Sequence, residues 1–394
     1  MIEDLDRCLH EEGVDAIVVE GNGFEKPDVY WMTGFRSTDS VIALHPVDEE
    51  TVVAAGYHTV TRVQRESFVK RTFDLTEVYD RLRAEKKRVL ENQDLLYEPF
   101  LQAHFSGKVL GVPDHLPVSS VLAIRGLGYD VRVVPYLLKD ARARKEPREV
   151  KAIQKAADAT MYAVGRAVEL IKDCDIGPNH QLVHQGRALT VGDIKVVLDT
   201  ALIEKRAEAA EDSIVAVGKK AFDWHYLGAT KDVIKEGEPL IIDVFPRLKE
   251  ERYIADVTRT VVKGTVSKRV REMFDAVKEA GDASVDALTG GARVDDVNKE
   301  CYDVLSSHGF DSKFLNPKAE EGMTHGLGHG IGLEVHENPS MYEGEKRFQE
   351  GHVMAIEPGV YLRSVGGVRI ENDYLVTKGR AKRLTQGLED VIFV

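Results

Sequence analysis

The chain is poor in cysteine, carries no excess of positive charge and has no long apolar run. Lys and Arg number 53 against 66 Asp and Glu, a formal net charge of −13. A surface that acidic repels phosphate backbones and anionic lipid, so nucleic acid and membrane are not expected as partners. No apolar run approaches the ~20 residues that span a bilayer. The opening Met1-Ile2-Glu3-Asp4-Leu5-Asp6 is acidic and lacks a basic-then-apolar leader pattern. The three cysteines, Cys8, Cys174 and Cys301, are far apart and odd in number. They form neither a disulfide framework nor a CxxC zinc site, and each reads as a small buried hydrophobe in a reducing, cytoplasmic setting.

With 394 residues, 43% hydrophobic and 30% charged, the chain is globular and long enough for two or three domains. Its first 140 residues alternate helical patterns with short apolar runs, among them Ala16–Val19, Ser40–Leu44, Thr51–Ala55 and Lys108–Val112. That alternation predicts an α/β layer domain. The charged segment Lys139–Pro147 reads as an interdomain connection, with Pro147 in the first turn of the next helix. There Val150, Ile153, Ala157, Met161, Val164, Val168 and Ile171 make an amphipathic stripe, as do Val270, Met273, Phe274, Val277, Gly281 and Leu288 further on. Both stripes are expected to pack in a core.

Two stretches read as β-hairpins with acids in apolar limbs. Leu240–Phe245 and Tyr253–Val262 flank a polar loop, Arg247–Arg252. Val353–Glu357 and Val368–Val376 flank a Gly366-Gly367 turn region. Asp243, Asp256, Glu357 and Glu371 are costly to ionise in such runs unless a cation meets them. Side chains alternate along a strand, so each hairpin can gather its two acids on one face. If all four converge, two divalent cations match their formal charge. Between the hairpins, Thr324–Pro339 holds His325, His329 and His336 among Gly326, Gly328, Gly330 and Gly332. It contains neither a P-loop nor an HExxH zinc motif. An imidazole added to four carboxylates favours Mn²⁺, Co²⁺, Fe²⁺ or Zn²⁺ and points to metal-assisted hydrolysis.

At these residues the sequence resembles the metallopeptidase family that includes methionine aminopeptidase, aminopeptidase P, prolidase and the metal-free creatinase. The matching motifs are Gly328-His329-Gly330-Ile331-Gly332 with His336-Glu337, Ile356-Glu357-Pro358-Gly359, Arg369-Ile370-Glu371-Asn372 and Asp256-Val257-Thr258-Arg259-Thr260. Tyr30–Phe35 is similar to a segment of the creatinase/prolidase-type N-terminal domain, which points to the proline-directed branch. The resemblance implies such an α/β domain over 1–143 and a duplicated pita-bread α/β catalytic domain over 144–394. It implies two divalent metal ions held by Asp243, Asp256, His329, Glu357 and Glu371, with Glu357 also catalytic. His336 and His225 would contact substrate and the developing intermediate. Arg369 would orient substrate or tune the carboxylates, its alternative being a structural ion pair. The implied activity is a cytoplasmic, homodimeric, manganese-type exopeptidase that cleaves between an N-terminal residue and proline. Two rivals are a creatinase-type C–N hydrolase and a binding module on the same fold; the complete ligand set argues against each. Trp224 stands where the family has proline, and Val244-Phe245-Pro246 follows Asp243 where a small residue and glycine are common. Lys346 and Arg347 lie in the loop where many prolidases carry a carboxylate-binding arginine.

Overall fold

Ala16, Ile17, Val18 and Val19 lose all contact with water, as befits a strand covered on both faces. Their strand, Ala16–Gly21, pairs antiparallel with Val41–Pro46 and parallel with Val109–Val112. The chain is described here from a computed structural model covering residues 2–394, which divides into two units between Arg142 and Ala143. The first unit holds a mixed six-stranded sheet in the order Arg71–Asp74, Val52–Ala55, Val41–Pro46, Ala16–Gly21, Val109–Val112, Asp130–Val133. Tyr97, Phe100 and Leu101 from the helix Asp94–His104 fill its core. Pro27 opens the helix Pro27–Thr33, and Gly34 closes it in the left-handed conformation at φ 65°.

The second unit repeats one plan twice. The helices Pro147–Lys172 and Val191–Glu204 pack on a sheet ordered Ile214–Val217, Leu240–Val244, Val257–Val262, Ile392–Phe393. The helices Lys268–Ala287 and Val294–Ser307 pack on a sheet ordered Glu337–Ser340, Gly328–Gly330, Val353–Ile356, Asn372–Leu375, Lys382–Arg383. Both helices with apolar stripes turn them inward. In the first, the buried face widens to Ala152, Ala156, Ala159, Ala163 and Ala167, whose small side chains allow close approach. Cys8, Cys174 and Cys301 are buried and unpaired. No described helix is long and apolar enough to cross a membrane.

Two expectations need correcting. The polar loop of the first hairpin contains a strand, Pro246–Leu248, paired with Ala207–Ala209, and Arg252 in it is buried against Glu208. The second hairpin is interrupted. Val353–Ile356 pairs with Asn372–Leu375, while Gly359–Leu362 and Gly366–Arg369 form a separate ribbon between them. Gly366 and Gly367 therefore lie in a strand, not a turn. Their reason is close approach, since a Cβ on Gly366 would stand 2.0 Å from the Gly218 carbonyl oxygen. The charged 139–147 connection also carries buried ion pairs. Arg142 is buried on Asp28, and Lys145 on Glu337.

Candidate metal centre

The ladder places Asp243 opposite Thr258 between the first two limbs. Asp256 precedes the second limb, the strand Val257–Val262, and its backbone N–H donates to Asp373 Oδ2 at 2.9 Å. Glu371 sits at the break between Gly366–Arg369 and Asn372–Leu375. Its N–H donates to the Thr258 carbonyl at 3.1 Å, and its Oε2 accepts from the Thr258 hydroxyl at 2.6 Å. These bonds join the two acidic limbs into one site.

His329 enters on the strand Gly328–Gly330, paired to Val353–Ile356. Glycine is required there, because a Cβ at position 328 would lie 1.9 Å from the Ala355 carbonyl oxygen. The His329 Nδ1 lies 3.1 Å from the Gly330 carbonyl, an acceptor only, so Nδ1 carries the proton. Nε2 then points its lone pair into a space it shares with Asp256, Glu371 and Glu357, whose oxygens stand 3.7, 3.9 and 4.0 Å away. Burial, then the neighbouring His336, lower the His329 pKa to about 4, which keeps the ring neutral.

The acids respond as a desolvated like-charge cluster. Burial, then repulsion from Glu371 and Asp243, raises Asp256 well above the usual carboxylate range. Burial, then Glu357 and Asp243, does the same to Glu371. Burial pushes Glu357 up to about 8, with Arg369 opposing and Asp243 assisting. Asp243 Oδ1 and Asp256 Oδ1 are buried and accept no hydrogen bond. Acceptors without donors, beside one neutral imidazole lone pair, fit a hard or borderline divalent cation. Asp256, His329 and Glu371 can each point one ligand atom into a common space within 4.8 Å.

Behind the acids, Arg369 donates to Asp243 Oδ2 at 2.5 Å, Thr258 Oγ1 at 3.1 Å and Tyr361 Oη at 2.8 Å. All three guanidinium nitrogens are thus engaged with the protein, which favours carboxylate tuning over substrate contact. His325 Nδ1 donates to the Gly326 carbonyl, so Nε2 accepts from Tyr361 Oη at 2.9 Å. Tyr361 and Asp373 were not singled out by the sequence, while His325 was named only as one of three histidines in the glycine run and Thr258 only as part of the Asp256 motif. The only local signal of Tyr361 and Asp373 was polarity beside a motif.

His336 and His225 are exposed. The His336 ring lies 4.3 Å from that of His329. The His225 ring lies 3.6 Å from that of Trp224, which in turn is 5.3 Å from His325. Arg347 donates to the Gly291 carbonyl, and Lys346 pairs with Glu343.

Residues 151–378 match the model of metallopeptidase family M24. The chain belongs to that family. This M24 chain is 26% identical to a Xaa-Pro dipeptidase of Pyrococcus horikoshii over 396 residues, 99% of this chain and 98% of that one. It is 32% identical to a Xaa-Pro dipeptidase of Pyrococcus furiosus over 252 residues, 64% of this chain and 65% of that one. The solved Xaa-Pro dipeptidase from Bacillus anthracis superposes with a TM-score of 0.80 at 21% identity, covering 100% and 99% of the two chains. That likeness shows the fold: an α/β N-terminal unit followed by the M24 pita-bread unit.

Proposed function

We propose that this chain is a metal-dependent exopeptidase hydrolysing the bond between an N-terminal residue and proline. The observation that carries the reading is the convergence of Asp256, Glu357 and Glu371 on the Nε2 of neutral His329. The names of its full-length relatives support the proline specificity. Asp243, Asp256, His329, Glu357 and Glu371 would hold two divalent ions, of Mn²⁺, Co²⁺, Fe²⁺ or Zn²⁺ type. When bound, such ions supply Lewis-acid activation of water and of the scissile carbonyl.

The protein's own groups do the rest. Glu357 takes the proton of the attacking water and returns it to the departing proline nitrogen. His336 and His225, both open to solvent, hydrogen-bond the peptide as charge gathers on its carbonyl oxygen. Arg369 holds Asp243 in one orientation. Residues 144–394 would carry all of this chemistry, with 1–143 as a separate domain. Three buried thiols that form no disulfide support a reducing, cytoplasmic setting, and the family resemblance supports a homodimer.

The test is an assay of chelator-treated protein on a Xaa-Pro dipeptide, a Xaa-Pro-Yaa tripeptide and a proline-free dipeptide. Added Mn²⁺ or Co²⁺ should restore cleavage of the Xaa-Pro dipeptide. Equal turnover of the proline-free peptide, or activity indifferent to chelator, would overturn the reading. The tripeptide separates a dipeptidase from an aminopeptidase.

A further inference from the structure

The turn that presents His336 is built around a buried ion pair. Glu337 Oε1 accepts from the backbone N–H groups of Leu333 and Glu334 at 2.9 and 3.2 Å. Its Oε2 accepts from Lys145 Nζ at 3.0 Å, with the two side chains 1% and 2% exposed. The turn closes tightly on this carboxylate, since a Cβ at Gly332 would stand 2.5 Å from Glu337 Oε2. Lys145 is anchored in its turn. Its Nζ also donates to the Ala143 carbonyl at 3.1 Å, and its backbone N–H to the Gly351 carbonyl at 2.8 Å. The far end of the turn is tied down too, the Gly332 carbonyl accepting from Ile254 N–H at 2.8 Å, two residues before Asp256.

His336 lies in the bend just before the strand Glu337–Ser340. Glu337 faces into the protein, and His336 lies beside His329, its ring 4.3 Å away. A carboxylate enclosed in this way is held in place in part by the buried ammonium. Removing the ammonium takes away a buried charged donor, which loosens the carboxylate in its pocket and weakens its hold on the two backbone donors.

We propose that Lys145 and Glu337 are positioning residues for His336. They touch no substrate. Their buried pair fixes the course of residues 332–336 and so the direction in which the imidazole enters the site. The inference rests on the reading of His336 as a substrate-contacting group.

The test compares His336→Ala, Lys145→Met and the double variant, each reconstituted with Mn²⁺, on one Xaa-Pro dipeptide well below the melting temperature of the least stable protein. Displacement of about an ångström can cost on the order of 10²-fold in rate, so Lys145→Met should lose at least about ten-fold in kcat. Its bound metal should match that of the parent, because the five carboxylate and imidazole ligands are untouched. The double variant should be no slower than His336→Ala alone, because Lys145 acts only through that ring. Lys145→Arg, which keeps the charge, should recover part of the loss. Should Lys145→Met not fold, Glu337→Gln keeps the shape and one acceptor oxygen and takes its place in the same cycle. Losses that multiply in the double variant, or an unchanged kcat in Lys145→Met, overturn the inference alone. Parental turnover by His336→Ala overturns the reading of His336, and the inference with it.

Discussion

Arg369 donates from Nη2 to Asp243 Oδ2 at 2.5 Å across 126 positions of sequence, and both side chains are almost wholly shielded from water. The charge of Arg369 also faces Glu357 and Glu371. It leaves Asp243 Oδ1 without a donor and therefore open to a metal. The pair both anchors the acid and selects which of its oxygens remains available.

Replacement of Arg369 by Met leaves that carboxylate buried without its cation. Breaking a buried pair from one side costs about 3–5 kcal/mol. Thermal unfolding of the metal-free variant should show a loss of that order, and added Mn²⁺ should offset part of it by supplying positive charge nearby. A metal-free Arg369→Met protein as stable as the parent would show that the pair contributes nothing.

Stability of the metal-free protein should fall as pH rises. In the fold, burial raises Glu357 to about 8, and Asp256 and Glu371 move in the same direction. Raised carboxyl pKa values favour the folded state while the groups are protonated. That contribution is complete below the unfolded carboxylate range and is lost as pH climbs towards 8. The metal-free melting temperature should therefore drop between about pH 6.5 and 8, above the range where the lowered pKa of buried His329 acts in the opposite sense, whereas the metal-loaded protein should change less. Metal binding near pH 7 should release protons, which calorimetry in two buffers of different ionisation enthalpy reads directly.

Glu357→Gln and His329→Ala should each lower turnover on the order of 10³-fold or more, since each removes both a ligand and a catalytic or orienting group. Circular dichroism should stay close to the parent's. Glu357→Gln also removes one member of a repelling cluster, so its metal-free form should melt no lower than the parent. Activity within ten-fold of the parent in either variant would break the proposed mechanism.

Gly328→Ala should disrupt the site without touching a ligand. The new Cβ would fall 1.9 Å from the Ala355 carbonyl oxygen, so the His329 strand must move away from its neighbour. Bound metal and melting temperature should both fall. Gly126→Ala is the control. Nothing lies within 4 Å of its Cβ position at the end of the Val118–Gly126 helix, and the change should be neutral or stabilise by up to about 1 kcal/mol. If the two variants behave alike, backbone approach at Gly328 is not what holds the strand.

What the sequence determined by itself is local. Runs such as Ala16–Val19 and Leu240–Val244 are strands because β-branched and apolar residues gather over lengths that only a covered strand uses. The stripe from Ile153 to Ile171 is a buried helix face because its period is that of a helix. Four acids set in apolar limbs, with a histidine among glycines, mark a cation site because such groups need a counter-charge. Tertiary structure alone decided the partners. Arg369 could be orienting substrate or holding Asp243 until the register of two distant sheets set its Nη2 against that carboxylate. Gly366 and Gly367 looked like a turn until the backbone at Gly218 and Ala221 passed close by them. Lys145 reads in the sequence as part of an interdomain connection, and only the fold set it against Glu337, 192 positions on. Periodicity and charge are properties of neighbours along the chain, whereas pairing and close approach depend on which distant backbone the fold brings alongside.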